Sequence, residues 1–364
     1  MSHVGGTESV YMIKLTIGEA VYITKHLLSD HSSCDPTTRV WEAYREDDHE
    51  RTSVAIKDVW MPADAIPEGS QLLELHQKLR ILSHLSPEQY FLTGFRSNLP
   101  DGLSEGRRKH YRIVFKEVGT PIYKLRCVSE VMRALADATR ALQLLYQLGL
   151  VHRDVSAGNI LLVDGVGKLT DLKFMRSYRG PINPSSPADR YIRTANFTAG
   201  EVAAAWYAYA SKAHGAKHFS EDPPFRFNPF HDVESTLWIG IYILFHHLRD
   251  VPEVKDFSQV HFPYRFTKMT AQCRTIAVRC GFFSLGESHP FHAVLEVLHD
   301  VRFDLYRRYM LFESDFPNQY RFLEDEMVPL IFLERARTDT SKRKATTAPA
   351  TPEPPAKKLK RTSS

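Results

Sequence analysis

The sequence predicts an α+β protein whose strands lie near the N-terminus and whose helices follow. Residues 38–44 and 52–60 alternate apolar and polar side chains around a charged turn at 45–51, as an antiparallel hairpin does. Residues 111–115 read as a further strand, and most periodic stretches after residue 129 have helical spacing. With 364 residues, the chain can form one large domain or two lobes.

Cysteine usage and apolar run lengths favour a soluble intracellular protein. Cys34, Cys127, Cys273 and Cys280 form no Cys-x-x-Cys pair and have no histidine at zinc-finger spacing, so we expect reduced thiols. The longest apolar run, 237–245, is well short of the ~20 residues of a membrane helix, and the N-terminus lacks a signal-peptide pattern. We expect no membrane partner. The net charge of +4 comes from a basic tail, so we also predict no direct nucleic-acid binding.

A short polar loop between apolar flanks is the most informative stretch. It reads Val151-His152-Arg153-Asp154-Val155-Ser156-Ala157-Gly158-Asn159. The spacing of Asp154 and Asn159 can place a carboxylate near an incoming hydroxyl and an amide oxygen near a metal ion. Twelve residues later, Asp171 ends the strand-like run 168–170. This separation fits a β-hairpin that returns Asp171 beside Asn159.

The N-terminal hairpin and the segment after it contain one lysine and two glutamates of interest. The second strand of the hairpin includes Val-Ala-Ile-Lys, which ends at Lys57. Residues 68–85 have helical spacing with a leucine face, and Glu74 lies on a different stripe from those leucines. The alternative is that Lys57, Glu68 and Glu74 are ordinary surface charges.

A strand and a long helix lead into the polar loop. The strand 111–115 runs into Lys-Glu-Val-Gly at 116–119. Residues 129–148 form an amphipathic helix, and Gly149 supplies its left-handed C-terminal cap. This helix delivers the chain to His152.

Two segments beyond Asp171 also carry motifs. A basic stretch at 173–193 precedes Thr-Ala-Asn-Phe-Thr-Ala-Gly-Glu at 194–201, and 203–227 reads as an insertion. Asp232 then stands at the start of an apolar helix, where it can accept backbone N–H bonds from the polar loop as a structural support.

Together these motifs resemble those of eukaryotic protein kinases, and more narrowly those of the fungal-type protein kinase-like family. The narrower likeness rests on His-Arg-Asp-Val-Ser-x-x-Asn at 152–159, Val-Phe-x-x-Val-Gly-x-Pro-Ile-Tyr at 114–123 and His-Asp-Val-Glu-Ser at 231–235. The resemblance covers about residues 38–333. It implies a bilobal fold with a small β-rich N-lobe and a larger helical C-lobe, ATP and Mg²⁺ in the cleft between them, and phosphoryl transfer to Ser/Thr hydroxyls of protein substrates.

The resemblance also implies domain boundaries. An N-terminal extension would occupy 1–30, the N-lobe 31–118, the C-lobe 119–336, and a disordered tail 337–364. Within the C-lobe, 290–303, 305–312 and 322–335 have the spacing of closing helices.

Each motif residue acquires a role from the family. Asp154 would orient the acceptor hydroxyl and take its proton, and Lys57 would clamp the nucleotide phosphates. Glu74, seventeen residues after Lys57, would hold that lysine, with Glu68 as the second choice. The magnesium ligands would be Asn159 and Asp171.

The rest of the ATP site would come from the N-lobe and from the segment joining the lobes. Phe115 would guard the back of the adenine pocket, and the backbones of Glu117 and Val118 would hydrogen-bond the base. Val40 and Ala55 would also line the ATP site.

Regulation could act through Arg153, which would pair with a phosphate on the segment 173–193 or on Thr194. The candidate acceptors are Ser177, Tyr178, Ser185, Ser186, Tyr191 and Thr194. Glu201 would end this segment and Asp232 would support the loop. The alternative is that the arginines of this segment form an ordinary solvated face.

Three departures from the common kinase pattern keep other functions open. The expected phosphate-binding loop, 33–38, contains no glycine, Ser156 replaces a lysine, and Leu172-Lys173 replaces Phe-Gly. A pseudokinase-like binding scaffold is therefore one alternative, and a small-molecule phosphotransferase of the same fold is another. The segment 194–201 favours a protein substrate.

The tail from residue 337 has the Thr-, Ser-, Pro- and Lys-rich composition of a disordered segment. Its basic clusters at 342–344 and 357–361 have the pattern of a bipartite nuclear-import signal. We therefore expect a nuclear or cytoplasmic protein that binds an import receptor. A solvated basic tail is the alternative.

Overall fold

Residues with described positions lie in nine segments. The computed structural model describes residues 12–30, 38–82, 86–98, 104–105, 108–178, 195–209, 225–248, 252–262 and 267–314. Several predicted features lie outside them: most of the glycine-free loop, residues 179–194, the predicted helix at 322–335 and the basic tail.

A seven-stranded antiparallel sheet forms the N-terminal part of the fold. Its strands are β1 (Lys14–Ile17), β2 (Ala20–Asp30), β3 (Thr38–Arg45), β4 (Val54–Pro62), β5 (Gly94–Asn98), β6 (Ser104–Glu105) and β7 (Arg108–Phe115). Six strands run in the order β1-β2-β3-β4-β7-β5, and β6 pairs with β7. The predicted hairpin of β3 and β4 is confirmed. Strands β1 and β2, which lie within the range 1–30 predicted as an N-terminal extension, belong to the same sheet.

Helix α1 (Glu68–Leu82) packs on this sheet. Leu72, Leu75 and Leu79 are buried and form its apolar face. The same hydrophobic cluster includes Ala55 on β4 and Ile113 on β7. The orientation of this apolar face therefore determines which polar side chains of α1 can contact residues of the sheet.

The C-terminal part is helical. Its helices are α2 (Val128–Gln147), α3 (Gly200–Ala204), α4 (Pro229–His247), α5 (Pro252–His261), α6 (Lys268–Cys280) and α7 (His292–Ser314). Helix α2 confirms the predicted amphipathic helix, since Leu135, Leu142 and Leu145 are fully buried. Gly149 follows it with a φ of 75°, a left-handed conformation that glycine adopts without strain.

Helix α7 corrects the prediction of two separate helices at 290–303 and 305–312. It is continuous because no glycine or proline interrupts 292–314. Val301, Leu305 and Tyr309, at four-residue steps, are all fully buried and carry one stripe through the predicted break.

Short strands connect the helical part to the site. They are β8 (Thr120–Pro121), β9 (Leu150–Val151), β10 (Ile160–Val163), β11 (Val166–Leu169) and β12 (Arg176–Ser177). Strands β10 and β11 form the predicted antiparallel hairpin. A Cβ at Gly167 would lie 2.4 Å from the carbonyl oxygen of Ala134, so only glycine lets β11 approach α2 this closely.

Across the described residues, no helix combines the length and the apolar character that crossing a membrane requires.

Candidate active site

Lys57 extends from β4 into the space between the sheet and the hairpin β10–β11. Its Nζ lies 2.7 Å from Oε2 of Glu68 and 2.7 Å from Oδ1 of Asp171, a residue 114 positions away in the sequence. Burial works to lower the pKa of Lys57, but the two carboxylates outweigh this effect and raise it. The buried lysine therefore stays charged and joins three elements of the fold.

The structure corrects the prediction for the glutamate that holds Lys57. Glu68, the first residue of α1, is the partner, and Glu74 is not. Glu74 is 63% exposed and pairs with Lys78 at 2.5 Å. Six residues along an α-helix rotate a side chain by about 240°, so the two glutamates face different sides. Glu68 shares the face of the buried Leu72, and this spacing is the signal that sequence reasoning missed.

Each carboxylate oxygen of Asp171 contacts the ammonium group of a lysine. Oδ1 contacts Lys57, and Oδ2 lies 3.3 Å from Nζ of Lys173. Burial acts to raise the pKa of Asp171, but Lys57 and Lys173 together hold it well below its usual value. The residue adopts a left-handed backbone conformation, with φ 62° and ψ 62°. Asp171 is thus an ionised, mostly buried carboxylate that faces the cleft lysine.

The side chain of Asp232 hydrogen-bonds the backbone of the polar loop. One oxygen of Asp232 accepts the N–H of His152 at 2.7 Å and the other accepts that of Arg153 at 2.9 Å, as its place at the start of α4 predicts. Burial raises the pKa of Asp232 to about 7, against the two backbone bonds, which lower it. Arg153 has a φ of 73°, so the loop needs this support at its tightest point.

His152 links the loop to the strand that carries Asp171. Its Nε2 donates to the carbonyl oxygen of Thr170 at 3.0 Å, and its Nδ1 accepts the N–H of Asp154 at 3.3 Å. This pair of bonds defines the neutral tautomer. Burial lowers the pKa of His152 to about 4, which agrees with a neutral ring.

Asn159 lies beside Asp154 as the spacing predicts. Its Nδ2 donates to the backbone oxygen of Asp154 at 2.8 Å, and its backbone oxygen accepts the N–H of Thr170 at 2.9 Å. The amide nitrogen thus faces Asp154, and the amide oxygen is the end suited to a cation. An amide oxygen and a carboxylate are hard oxygen donors of the kind that Mg²⁺ prefers, so the residue types of Asn159 and Asp171 fit this cation. Across the described segments, this site included, no group of three or more His, Cys, Asp or Glu side chains could hold a metal.

The predicted adenine side of the site is built on β4 and β7. Ala55 is buried and pairs in register with Phe115, which is buried as well. Val40 is partly buried opposite Lys57 on the neighbouring strand, and Val118 is also partly buried.

The side chain of Glu117 fixes the segment that joins the two lobes. It accepts bonds from the N–H and hydroxyl of Thr93 at 2.9 Å and from Nζ of Lys168 at 2.8 Å. Burial favours the neutral acid, but Lys168 and Thr93 lower the pKa of Glu117 overall. Sequence reasoning gave Lys168 no role, although a lysine in a strand that is otherwise buried is a signal for an ion pair.

Glu201 is fully buried and receives a hydrogen bond from Nε2 of His231 at 3.1 Å. Burial and the neighbouring carboxyl group of Glu313 raise the pKa of Glu201 well above its usual value. Nearby, the guanidinium of the buried Arg274 donates to the backbone oxygens of Asn196 and Thr198 at 2.6 and 2.7 Å. These contacts anchor the end of the segment that the sequence assigned to regulation.

The proposed phosphate acceptors fall mostly outside the described residues, including Thr194. Tyr178 is described and is a poor acceptor as placed, because it is buried and its hydroxyl donates to the backbone oxygen of Tyr146 at 3.4 Å. Ser177 is exposed on β12.

A small pocket, partly open to solvent, lies against Asp154. Its lining is mostly small or apolar and consists of Arg153, Asp154, Val155, Thr198, Ala199, Val202, Phe227 and Ser235.

Comparison with known proteins agrees with this geometry. The family described as fungal protein kinase matches residues 78–244, which include α2, the polar loop, Asp171 and Asp232. Among solved structures, vaccinia related kinase 3 superimposes with a TM-score of 0.51 at 13% sequence identity, over 89% of this chain and 95% of that one. At that identity the likeness shows the fold alone. No curated protein matches the sequence.

Proposed function

We propose that the chain, as a member of the fungal-type protein kinase-like family, is an ATP-dependent kinase. Its substrates would be Ser/Thr hydroxyls of proteins. One observation carries the proposal: Lys57, from the sheet, meets Asp171, from the helical part, at 2.7 Å. Asn159 donates to Asp154 and accepts the N–H of Thr170, the residue before Asp171. A lysine, two carboxylates and an amide are the groups that phosphoryl transfer needs.

Each group has a step that its surroundings allow. Asp154 would hold the acceptor hydroxyl and accept its proton as the oxygen bonds to the γ-phosphorus and the bond to the β–γ bridging oxygen breaks, releasing ADP. Lys57 would neutralise phosphate charge, with Glu68 keeping it in place. Asn159 and Asp171 would hold Mg²⁺, which supplies further charge neutralisation at the phosphate oxygens.

The amide of Asn159 also orients Asp154, because its Nδ2 donates to the backbone oxygen at 2.8 Å and lies 3.4 Å from Oδ2 of the carboxylate. His152 adds a second restraint, because its Nδ1 accepts the backbone N–H of Asp154 at 3.3 Å. Catalysis here would thus rest on positioning by neutral hydrogen-bonding groups and on fixed charge.

A transfer assay tests the proposal. Wild type, Asp154→Ala and, as a matched control, Asp47→Ala would be incubated with γ-labelled ATP, Mg²⁺ and generic protein substrates. Asp47 is 65% exposed and pairs with Arg45. We expect Asp154→Ala to lose about 10²-fold or more of the transfer rate, since it removes the general base, and Asp47→Ala to keep it. Label on tyrosine alone would contradict the Ser/Thr assignment, and equal transfer by all three proteins would contradict the enzyme.

A binding scaffold is the second candidate, and two observations favour it. Lys173 contacts the carboxylate oxygen of Asp171 that Lys57 does not contact. The predicted phosphate-binding loop, 33–38, contains no glycine that would let its backbone approach a phosphate. Nucleotide binding with no transfer above the Asp154→Ala background would support this candidate.

Nuclear import through the basic tail is proposed independently of the catalytic site. Fluorescent fusions of the full chain and of a chain lacking 337–364 would be compared in cells. We expect nuclear enrichment of the full chain only, and equal distribution of both would contradict the proposal.

A further inference from the structure

Asp171 is held between two ammonium groups that differ in how firmly they are fixed. Lys57 is 10% exposed and also pairs with Glu68, whereas Lys173 is 34% exposed. Removing Lys57 from the site would leave two buried carboxylates facing each other. Moving Lys173 would place its charge in solvent, so Lys173 is the group that can leave.

The Lys173 contact is a consequence of local backbone geometry at the end of β11. A single turn at 172–174 follows Asp171 and returns the chain, so that Nζ of Lys173 reaches Oδ2 at 3.3 Å. The same ammonium lies 4.9 Å from the ring centre of Phe174, which restricts its path along the turn. The partner carboxylate is only 15% exposed, so solvent screens this pair less than a surface pair.

A divalent cation and Lys173 would require the same oxygen. A cation on Asp171 needs a lone pair of Oδ1 or Oδ2, and each oxygen now faces an ammonium. Two positive charges so close to one carboxylate oppose each other. Conversely, an ammonium at this position can neutralise phosphate charge when no metal is present.

We propose that Lys173 is a tethered cation that competes with Mg²⁺ for Asp171 and makes nucleotide binding less dependent on a divalent ion. The inference rests on the proposed nucleotide site, and it concerns the metal dependence of that site. Lys173 acts through Asp171 and is a positioning residue.

Metal affinity is measured first, without nucleotide. Mn²⁺ serves as the probe because it prefers the same oxygen ligands and its free form is counted by electron paramagnetic resonance. Wild type, Lys173→Met, Lys173→Arg and the control Lys78→Met would be titrated. Lys78 is half exposed on α1 and pairs with Glu74, so its loss removes one positive charge away from Asp171.

We expect Lys173→Met to bind Mn²⁺ about tenfold more tightly than wild type, the effect of one neighbouring charge at a partly buried site. Lys173→Arg and Lys78→Met should match wild type. Equal Mn²⁺ affinity in all four proteins, or no Mn²⁺ binding by any of them, would overturn the proposal.

Nucleotide binding is measured second, with ATP in either EDTA or Mg²⁺. We expect the wild-type affinity to differ less between the two conditions than that of Lys173→Met, which should bind more weakly in EDTA and more tightly in Mg²⁺. If the ratio of ATP affinity in Mg²⁺ to ATP affinity in EDTA is the same for wild type and Lys173→Met, the inference is overturned. A wild type that passes both tests and transfers no phosphate would contradict the kinase while leaving the role of Lys173 supported.

Discussion

Glu68 bridges Lys57 and the segment that follows Asp171. One carboxylate oxygen of Glu68 lies 2.7 Å from the ammonium of Lys57, and the other accepts the backbone N–H of Leu172 at 3.3 Å. The first residue of α1 is therefore tied to the sheet and to the hairpin of the helical part. Any movement of α1 would change the position of both charged groups in the cleft.

Replacing Glu68 should lower catalytic efficiency where replacing Glu74 does not. Glu68→Gln leaves Lys57 with a single carboxylate and frees it to reorient. We expect kcat/KM for ATP to fall about 10- to 100-fold, equivalent to about 1.4 to 2.8 kcal/mol. Glu74→Gln is the matched control, because Glu74 contacts only exposed groups on its own helix among the contacts described. Steady-state kinetics would contradict the assignment if the two variants lost equal activity.

Asp232→Asn should destabilise the protein and slow transfer. Each oxygen of Asp232 accepts one loop N–H, and an amide can accept only one of them while its NH₂ faces the other. The buried N–H without an acceptor costs about 1–3 kcal/mol of unfolding free energy. Urea denaturation measures this, with the exposed Asp256→Asn as control. An unchanged midpoint would show that the loop does not depend on these two bonds.

Lys168→Met should lower the free energy of unfolding more than the double variant Lys168→Met/Glu117→Gln does. The single variant Lys168→Met leaves the buried Glu117 without its counter-charge, which should cost about 3–5 kcal/mol of unfolding free energy. Adding Glu117→Gln should recover part of that loss. A double-mutant cycle by chemical denaturation gives the coupling directly. A coupling near zero would indicate that Thr93 alone fixes Glu117 in place.

Acid should weaken the hold of His152 on the loop. The folded protein keeps His152 neutral with a pKa of about 4, below the usual 6.5, so its contribution is present above pH 6.5 and is lost as pH falls toward 4. Wild type should exceed His152→Asn in unfolding free energy at pH 7, and that gap should narrow on acidification. His231 and His261, also buried with lowered pKa values, titrate in both proteins and cancel in the difference. A gap that is constant from pH 7 to pH 4 would contradict a neutral His152.

Local patterns predicted the elements well and the side-chain partners less well. The hairpin of β3 and β4, helix α2 and the return of Asp171 to Asn159 all follow from periodicity or spacing over short stretches. Helix α7 is one element where the sequence predicts two, because the buried Val301 and Leu305 continue one apolar stripe across residue 304.

Partners that come from distant strands have no local signature. Lys168 and Glu117 are 51 residues apart, and their pairing depends on how β11 approaches the segment joining the lobes. The sequence separation from Lys57 predicts Glu74 as its partner, whereas the rotation of α1 decides which glutamate reaches the lysine. Lys173 was visible as a replacement for glycine, but its contact with Asp171 arises only from the turn that follows β11.

The convergence of Lys57 and Asp171 on a nucleotide is tested most directly by calorimetric titration of ATP with Mg²⁺ into wild type, Lys57→Met and Lys78→Met. The account predicts saturable binding by wild type and Lys78→Met, and at least about tenfold weaker binding by Lys57→Met. Equal affinity in the three proteins, or no binding by wild type, would contradict it.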